Sequence, residues 1–249
     1  MYPREAVDDA LLLFAGGVSR VEISRRLGIP AATVRHWIRG SRRSRPAETA
    51  CFRCAGTAIP ESYAYMLGMY LGDGHIVVGR RGVQSLSVFG DDMWPGVLDE
   101  VEAGMADLMR GAVCRVRRQG CTQVKSYSKH WTCLFPQHGP GMKHTRSIRL
   151  EEWQQQIVDA RPELFLKGLF HSDGCRTTNR VRSRRPDGPV REYAYPRWFF
   201  YNTSDDIMRM AEAALDQLCI AHRRARPNVL SVARRDAVAA LDRAIGPKT

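Results

Sequence analysis

The chain has 249 residues, of which 44% are hydrophobic and 26% charged, a composition typical of folded globular proteins. At about 150 residues per domain, this length corresponds to one or two domains. Lysine and arginine number 38 against 26 acidic residues, and the net charge of +12 favours a polyanionic partner. No stretch approaches the roughly 20 apolar residues of a membrane span. The seven cysteines are an odd number and so cannot all pair in disulfides within one chain. We therefore expect a reduced, cytoplasmic, nucleoid-associated protein with no membrane partner.

The first 45 residues have the pattern of a helix-turn-helix. A helical stretch at residues 6–14 ends at Gly16-Gly17, and a second helix follows it. Gly28-Ile29-Pro30 breaks that second helix, and a third follows with Val34 and Trp37 on its apolar face. Two short helices joined by a turn that contains glycine are typical of a DNA-binding helix-turn-helix.

The outward side of the third helix is expected to enter the major groove of DNA. Small and polar side chains there can approach base edges, and arginines follow directly. Residues 1–50 hold nine arginines and five acidic residues, so this segment is basic. The expected DNA-binding residues are Ala32, Thr33, Arg35, His36, Arg39, Arg42 and Arg43. The alternative is a helical hairpin that packs on the rest of the protein and exposes a solvated basic face.

Residues 46–60 form an expected linker that contains a Cys-x-x-Cys pair. Such a pair supplies half of a tetrahedral zinc site, and the loop at residues 130–144 could supply the rest. The candidate ligands of this structural zinc are Cys51, Cys54, Cys133 and His138, with His144 in the same loop. The alternative is that these are reduced cysteines of a linker and histidines of a DNA-facing loop.

The remaining residues have mixed helical and strand patterns. Strands are predicted at 76–78, 84–89, 113–118, 131–135, 197–201 and 229–232. Helices are predicted at 92–110, 151–160, 204–218 and 235–245. The basic segment at 182–191 contains Arg-Pro-Asp-Gly-Pro and is predicted to be a hairpin tip.

One decapeptide pattern occurs twice, at an offset of 100 residues. Residues 65–74 are YMLGMYLGDG and residues 165–174 are FLKGLFHSDG. Superposing Asp73 on Asp173 also superposes Gly68 on Gly168. Small residues four apart give each helix a smooth strip, so the two segments are predicted to be helices that pack closely.

This packing would bring Asp73 and Asp173 together at two helix C-termini. Both helix ends are negative, and two carboxylates about 5 Å apart repel by roughly 3 kcal/mol at an effective dielectric near 20. A shared divalent cation would relieve both problems and could activate water for phosphodiester hydrolysis. The alternative is a pair of buried amphipathic helices that end in Asp-Gly turns.

The two decapeptides resemble the paired signature helices of the LAGLIDADG homing endonuclease family. The resemblance covers residues 61–249 and implies an α+β fold, a saddle of two αββαββα halves related by a pseudo-twofold axis. The halves would be residues 61–160 and 161–249, after the helix-turn-helix at 1–45. The resemblance also implies that Mg²⁺ or Mn²⁺ is held by catalytic residues. These are Asp73 and Asp173, with the carbonyls of Gly72 and Ser172 as further ligands.

The sequence departs from the family motif without affecting the two acids. Leu71 and His171 stand where the motif has its first aspartate, and Lys167 replaces an apolar residue. A lysine often assists in this family, and the candidates are Lys125, Lys129 and Lys143. The resemblance further implies that strand residues read the major groove, with arginines contacting phosphates or guanines. Those expected are Arg115, Arg117, Arg118, Arg182 and Arg197.

The leading hypothesis is a site-specific endonuclease of double-stranded DNA that acts as a monomer with internal pseudo-dimer symmetry. The alternative is a non-cleaving, sequence-specific transcriptional regulator with the same fold, and a weaker one is an RNA-binding, maturase-like protein. The two acids favour the enzyme, whereas the helix-turn-helix favours the regulator.

Overall fold

The computed structural model describes residues 2–39, 51–109, 111–183 and 191–249, with the backbone alone at Ser183 and Arg191. The chain divides into two compact units, Met1–Ala50 and Cys51–Thr249. The predicted arginine arm with Arg42 and Arg43 lies outside the described residues. Within the described ranges, no helix is long and apolar enough to cross a membrane.

The described part of the first unit contains three short helices. They are α1 (Arg4–Ala15), α2 (Arg20–Leu27) and α3 (Ala31–Ile38). They enclose a small core made of Val7, Ala10, Ile23, Ile29, Val34 and Trp37. Because isolated helices of this length are marginal in water, this shared core is what holds α2 and α3 together.

The turn between α2 and α3 follows from local backbone chemistry. The hydroxyl of Ser19 caps α2 by accepting a hydrogen bond from the amide of Glu22 at 3.3 Å. Gly28 ends α2 with φ of 63°, a left-handed conformation that glycine adopts at no steric cost. The hydroxyl of Ser24 donates to the carbonyl of Ile29 at 2.5 Å, which ties the turn to the end of α2.

The second unit repeats one order of elements twice. After the one-turn helix α4 (Phe52–Ala55), the first half consists of α5 (Ser62–Gly72), β1 (Gly74–Val78), β2 (Gln84–Asp91), α6 (Pro95–Leu108), β3 (Val113–Arg118), β4 (Cys121–Ser128), the one-turn helix α7 (Trp131–Leu134) and α8 (Glu152–Ala160). The second half consists of α9 (Pro162–Asp173), β5 (Gly174–Ser183), β6 (Arg191–Tyr201), α10 (Asp205–Gln217), β7 (Arg223–Arg226), β8 (Val229–Val232) and α11 (Arg235–Ile245). Apart from the one-turn α7, each half is αββαββα. The predicted α+β class and pair of halves are therefore confirmed.

Each half contains one antiparallel four-stranded sheet, with strand orders β1-β2-β4-β3 and β5-β6-β8-β7. Side chains alternate between the two faces of a strand, so each sheet has one face on the helices and one directed away. Leu86 and Val124 on the first sheet and Trp198 and Phe200 on the second are buried against the helices. These side chains belong to one hydrophobic core that extends through both halves. We call the other side of each sheet its open face.

Four segments differ from the sequence predictions. Residues 131–135 were expected to be a strand, but α7 lies there. Trp131, Leu134 and Phe135 are all buried, and their spacing of three and four residues suits a helix. The strands β4, β5 and β7 are also not predicted, because few residues on their helix sides are apolar. These residues are Thr122, Val124 and Ser126 in β4 and Arg176, Thr178 and Arg180 in β5, and β7 is Arg-Arg-Ala-Arg. The predicted hairpin tip at 182–191 falls largely outside the described residues, and β5 and β6 pair antiparallel on either side of it.

A single residue joins the two halves. Because α8 ends at Ala160 and α9 begins at Pro162, Arg161 alone lies between them. The Arg161 guanidinium forms an ion pair with Glu61, which precedes α5. The connection therefore has little freedom, and the start of α9 is tied to the start of α5.

Candidate functional site

The helices α5 and α9 contact each other through their backbones. A Cβ atom added to Gly168 would lie 2.8 Å from the Met69 amide nitrogen and 2.9 Å from Gly68 Cα. A Cβ atom added to Gly68 would lie 2.7 Å from the Leu169 amide nitrogen. The two sets of contacts mirror each other, so the helices are related by an approximate twofold axis through this point.

One turn later, the contact continues between Gly72 and Ser172. A Cβ atom on Gly72 would lie 2.5 Å from Ser172 Cβ and 3.0 Å from the carboxylate oxygen Oδ2 of Asp173. The next residue after Gly72 is Asp73, which caps the C-terminus of α5, and Asp173 is the last residue of α9. The structure therefore brings the two predicted acids to the same end of the helix pair.

The surroundings of the acids disfavour their charged forms. Burial, followed by repulsion from Asp73, raises the pKa of Asp173 to about 6. The side-chain amide of Asn202 donates to Asp173 Oδ2 at 2.7 Å and opposes that rise. Solvent reaches Asp73, yet the crowding of protein atoms around its carboxylate raises its pKa as well. Positive charge beside the two acids favours their ionised forms.

Two lysines supply part of that charge. The Lys143 ammonium donates to the carbonyls of Leu71 at 3.1 Å and Gly72 at 3.0 Å, and also to that of Tyr70, all at the C-terminus of α5. Burial lowers the pKa of Lys143 to about 8, although both aspartates counteract this. Lys248 donates to the carbonyl of Gly174 at 3.2 Å, and its pKa is also lowered by burial.

Of the three candidate lysines, Lys143 is therefore the one that approaches the acids. Lys125 lies on the open face of the first sheet, above the ring of Tyr127, and Lys129 is exposed. Sequence reasoning missed Asn202 and Lys248. Asn202 follows a strand, where Asn-Thr-Ser indicates a turn and nothing more, and no motif marks Lys248.

A cleft of about 450 Å³ opens beside the acids, lined in part by Gly72, Lys143, Asp173 and Asn202. The groups that meet there are suited to a hard cation, because carboxylate and carbonyl oxygens are the ligands that Mg²⁺ and Mn²⁺ prefer. The Gly72 carbonyl accepts from Lys143 but retains a second lone pair. The hydroxyl of Ser172 donates to the carbonyl of Leu169 at 2.9 Å, which holds this residue in place.

The open faces of both sheets carry polar and aromatic side chains at alternate positions. On the first sheet they border a groove of about 420 Å³, and they include His75, Ser85, Ser87, Phe89, Gln123, Lys125 and Tyr127. On the second sheet the register places together Thr177, Asn179, Tyr195, Arg197, Phe199 and Ser231. Several of these side chains hold each other in position: Gln123 donates to Ser87 at 2.8 Å, and Arg197 donates to Ser231 at 2.8 Å.

The predicted arginines do not all lie on these open faces. Arg115 is on the helix side of β3, where it forms ion pairs with Asp99 and Glu102 of α6. Strand alternation puts Arg117 on that same side and Arg118 on the open face. Arg182 is likewise on the helix side of β5, and it forms an exposed ion pair with Glu192 at 2.5 Å.

In the first unit, the predicted DNA-binding residues of α3 lie on its solvent side. Ala32, Arg35, His36 and Arg39 are exposed, and Thr33 is half-buried. The opposite side of α3 contributes Val34 and Trp37 to the core of the unit.

A cysteine and histidine cluster lies elsewhere in the second unit. Cys51, Cys54 and Cys133, predicted as ligands, come together there with His130. His138 is not part of this group. Burial and the nearby charge of Arg146 lower the pKa of His138. The fourth member of the cluster therefore comes from the start of α7 and not from the loop beyond it.

No protein-family model matches the sequence, and a comparison with curated protein sequences found no match. Solved structures of LAGLIDADG proteins are similar to it at low sequence identity. The N-terminal LAGLIDADG domain of DUF199/WhiA is 14% identical, with a TM-score of 0.46, over 76% of this chain and 82% of that one. A variant of I-DmoI in complex with its nicked target DNA and manganese is 12% identical, with a TM-score of 0.48, over 75% and 96%. I-SmaMI bound to cleaved DNA is 10% identical, with a TM-score of 0.44, over 74% and 83%. These are proteins of the family that residues 65–74 and 165–174 resemble.

Proposed function

We propose that this protein is a site-specific DNA endonuclease that hydrolyses phosphodiester bonds with a divalent cation held between Asp73 and Asp173. The observation that carries the proposal is the backbone contact of α5 and α9, which brings two carboxylates of raised pKa to the same helix ends. For stability alone this is a poor arrangement, because both helix C-termini are negative. A bound cation explains why the acids are there.

The metal site would consist of the two carboxylates and the carbonyls of Gly72 and Ser172. When bound, the cation would stabilise the charge that develops on the phosphodiester and would lower the pKa of a water molecule. Side chains of the protein would orient the metal ligands and provide positive charge for the DNA backbone. Asn202 orients the Asp173 carboxylate, and Lys143 and Lys248 hold positive charge where a backbone phosphate would lie.

The open faces of the two sheets support the DNA-binding part of the proposal. Their alternating polar and aromatic side chains can form hydrogen bonds and apolar contacts with base edges. The open-face cations Arg118, Lys125 and Arg197 are better placed for DNA than Arg117 and Arg182, which lie on the helix sides of their strands. In the first unit, the exposed side of α3 would read a separate stretch of the same duplex.

A selection and cleavage assay with matched variants tests the proposal. Duplexes bound by the full chain in Ca²⁺ would be selected from a random library, sequenced, and then incubated with protein in Mg²⁺ or Mn²⁺. Wild type, Asp73→Asn and Asp173→Asn would be compared with Asp159→Asn, an exposed carboxylate on α8. We expect wild type and the control to cut the selected DNA. The two site variants should bind it as tightly or more tightly without cutting, because a negative charge that faces phosphate is removed.

Three outcomes would contradict the proposal in different ways. A selected motif that is never cut would indicate the non-cleaving regulator. Loss of binding in the Asn variants would mean that the acids only cap helices. Failure to enrich any sequence would remove DNA as the partner.

A further inference from the structure

The cysteine and histidine cluster of the second unit has the composition of a structural metal site. Cys51, Cys54, His130 and Cys133 each offer one ligand atom, and these four atoms all lie within 4.8 Å of one another. None of the four takes part in the proposed cleavage site. The cluster therefore needs an explanation of its own, which does not depend on the proposed function.

The distances between the ligand atoms match those of a tetrahedral zinc site. Cys54 Sγ lies 3.8 Å from Cys133 Sγ and 3.6 Å from His130 Nδ1, and Cys133 Sγ lies 3.7 Å from the same nitrogen. Zinc with Zn–S bonds of about 2.3 Å and Zn–N bonds of about 2.0–2.1 Å sets S–S separations of about 3.8 Å and S–N separations of about 3.5 Å. A disulfide would require the sulfurs to be about 2.05 Å apart.

The backbone presents the two ligand pairs in the same way. Cys51 precedes the one-turn helix α4 as its N-cap and Cys54 is the third residue of that helix. His130 precedes α7 as its N-cap and Cys133 is the third residue of α7. Each short helix thus directs two ligands, three residues apart, toward the same point.

Neither helix is long enough to be stable alone, since isolated helices need roughly 12–15 residues. Cys51 is buried in the core, and the exposed side of α4 is held through Arg53. Its guanidinium donates to the Cys133 carbonyl at 3.1 Å and to Glu151 at 2.6 Å, and it lies over the ring of Trp153. These contacts are largely at the surface, and exposed ion pairs contribute little to stability.

We propose that Cys51, Cys54, His130 and Cys133 bind one structural Zn²⁺ that fastens the beginning of the second unit to α7. All four protein positions of the tetrahedron are filled, which is the arrangement of structural and not catalytic zinc. The ion crosslinks segments 79 residues apart. It also fixes the start of the chain segment that leads from α7 to Lys143.

Metal analysis of the full chain, purified under reducing conditions with zinc present, tests this proposal. We expect about one zinc per chain in wild type, and at least about tenfold weaker zinc binding in Cys54→Ser, Cys133→Ser and His130→Ala. The matched controls are Cys114→Ser, an exposed cysteine on β3, and His138→Ala, the histidine outside the cluster. Both controls should retain the zinc of wild type.

A second measurement keeps the test decisive if a variant fails to fold. Wild-type protein stripped with a chelator would be titrated with Co²⁺, which should give the visible absorption of tetrahedral cobalt bound to thiolates and be displaced by one equivalent of Zn²⁺. The thermal unfolding temperature of wild type should fall on stripping and recover with zinc. No bound zinc, iron in its place, a Cys54–Cys133 disulfide in the reduced preparation, or loss of zinc in the control variants would each overturn the proposal.

Discussion

Gly68 and Gly168 face each other across the two central helices so closely that neither position has room for a methyl group. The atoms that a Cβ on Gly168 would meet, at Tyr65, Met69 and Gly68, all belong to the backbone. No side chain can rotate to make space, so any larger residue must push the helices apart. Because Asp73 and Asp173 lie at the ends of these helices, the contact also sets the geometry of the acids.

Gly168→Ala should therefore destabilise the second unit by at least about 1–3 kcal/mol, the usual cost of overpacking a core. Urea unfolding followed by circular dichroism would measure this. Gly111→Ala is the matched control, because a Cβ there would meet only the Tyr127 carbonyl at an ordinary 3.6 Å. It should change the free energy of unfolding by no more than about 0.5 kcal/mol. Equal urea midpoints for Gly168→Ala and Gly111→Ala would show that the contact between α5 and α9 has room for a methyl group.

Asp242 of α11 connects that helix to the second sheet. Its carboxylate accepts two hydrogen bonds from Arg176, at 2.9 and 2.8 Å, and one from the indole of Trp198 at 2.7 Å. The hydrogen bonds from Arg176 lower the pKa of Asp242. A third of the side chain is exposed, so Asp242→Asn should reduce the free energy of unfolding by only about 1 kcal/mol at pH 7.

The pH dependence of that difference has a defined sign. The pKa of Asp242 is lower in the folded protein than in the unfolded chain, where it is about 3.9. The ionised carboxylate therefore makes its full contribution to the free energy of unfolding above the unfolded pKa. That contribution is lost as the pH falls through the folded pKa. In urea titrations, the difference in the free energy of unfolding between wild type and Asp242→Asn should be the same at pH 7 and pH 5. This difference should diminish below pH 4. Asp216→Asn, a largely exposed carboxylate, should show little difference at any pH. If the difference between wild type and Asp242→Asn were as large at pH 3 as at pH 7, the ion pair of Arg176 with Asp242 would not be its source.

Lys143 is expected to matter for cleavage more than for binding. Its ammonium satisfies carbonyls at the end of α5 and holds a positive charge beside both aspartates. Lys143→Met should lower the single-turnover rate of DNA cutting by about 10²–10³-fold, the usual cost of removing one group that stabilises developing charge. DNA affinity should change far less, because this is one cation among many.

Lys129→Met is the matched control for that experiment, since Lys129 is an exposed lysine of the same unit. Its cutting rate should equal that of wild type. If Lys143→Met lost DNA binding and folded structure together, the lysine would be a helix-capping group without a role in the reaction.

The sequence was most informative where a pattern repeats or where apolar spacing is regular. The matched glycines and aspartates located α5 and α9, and the bounds predicted for β3 and α11 agree with the structure. It was least informative for β4, β5 and β7, whose helix sides carry few apolar residues and therefore lack the alternation typical of a half-buried strand. The residue types of Trp131 and Phe135 favour a strand, although their spacing suits the helix that the structure shows.

Long-range geometry accounts for what sequence reasoning missed around the two sites. His130 and His138 lie in the same part of the chain, and spacing alone does not show which one faces Cys54. Lys143 could not be ranked above Lys125 or Lys129 without the path of the loop that carries it. Lys248 reaches Gly174 from the far end of the chain, a contact that no local motif encodes.

The single-residue connection at Arg161 has a consequence for the DNA that the protein is proposed to read. The first half is permanently paired with a second half of different sequence, so the two open faces need not match. Counted from Gly74 and Gly174, Ser85 stands on one face where Arg197 stands on the other, and Ser87 stands where Phe199 stands. A symmetric dimer of identical subunits would favour a palindrome, whereas this chain should favour a target whose left and right arms differ. Either arm could then change during evolution while the other stayed constant.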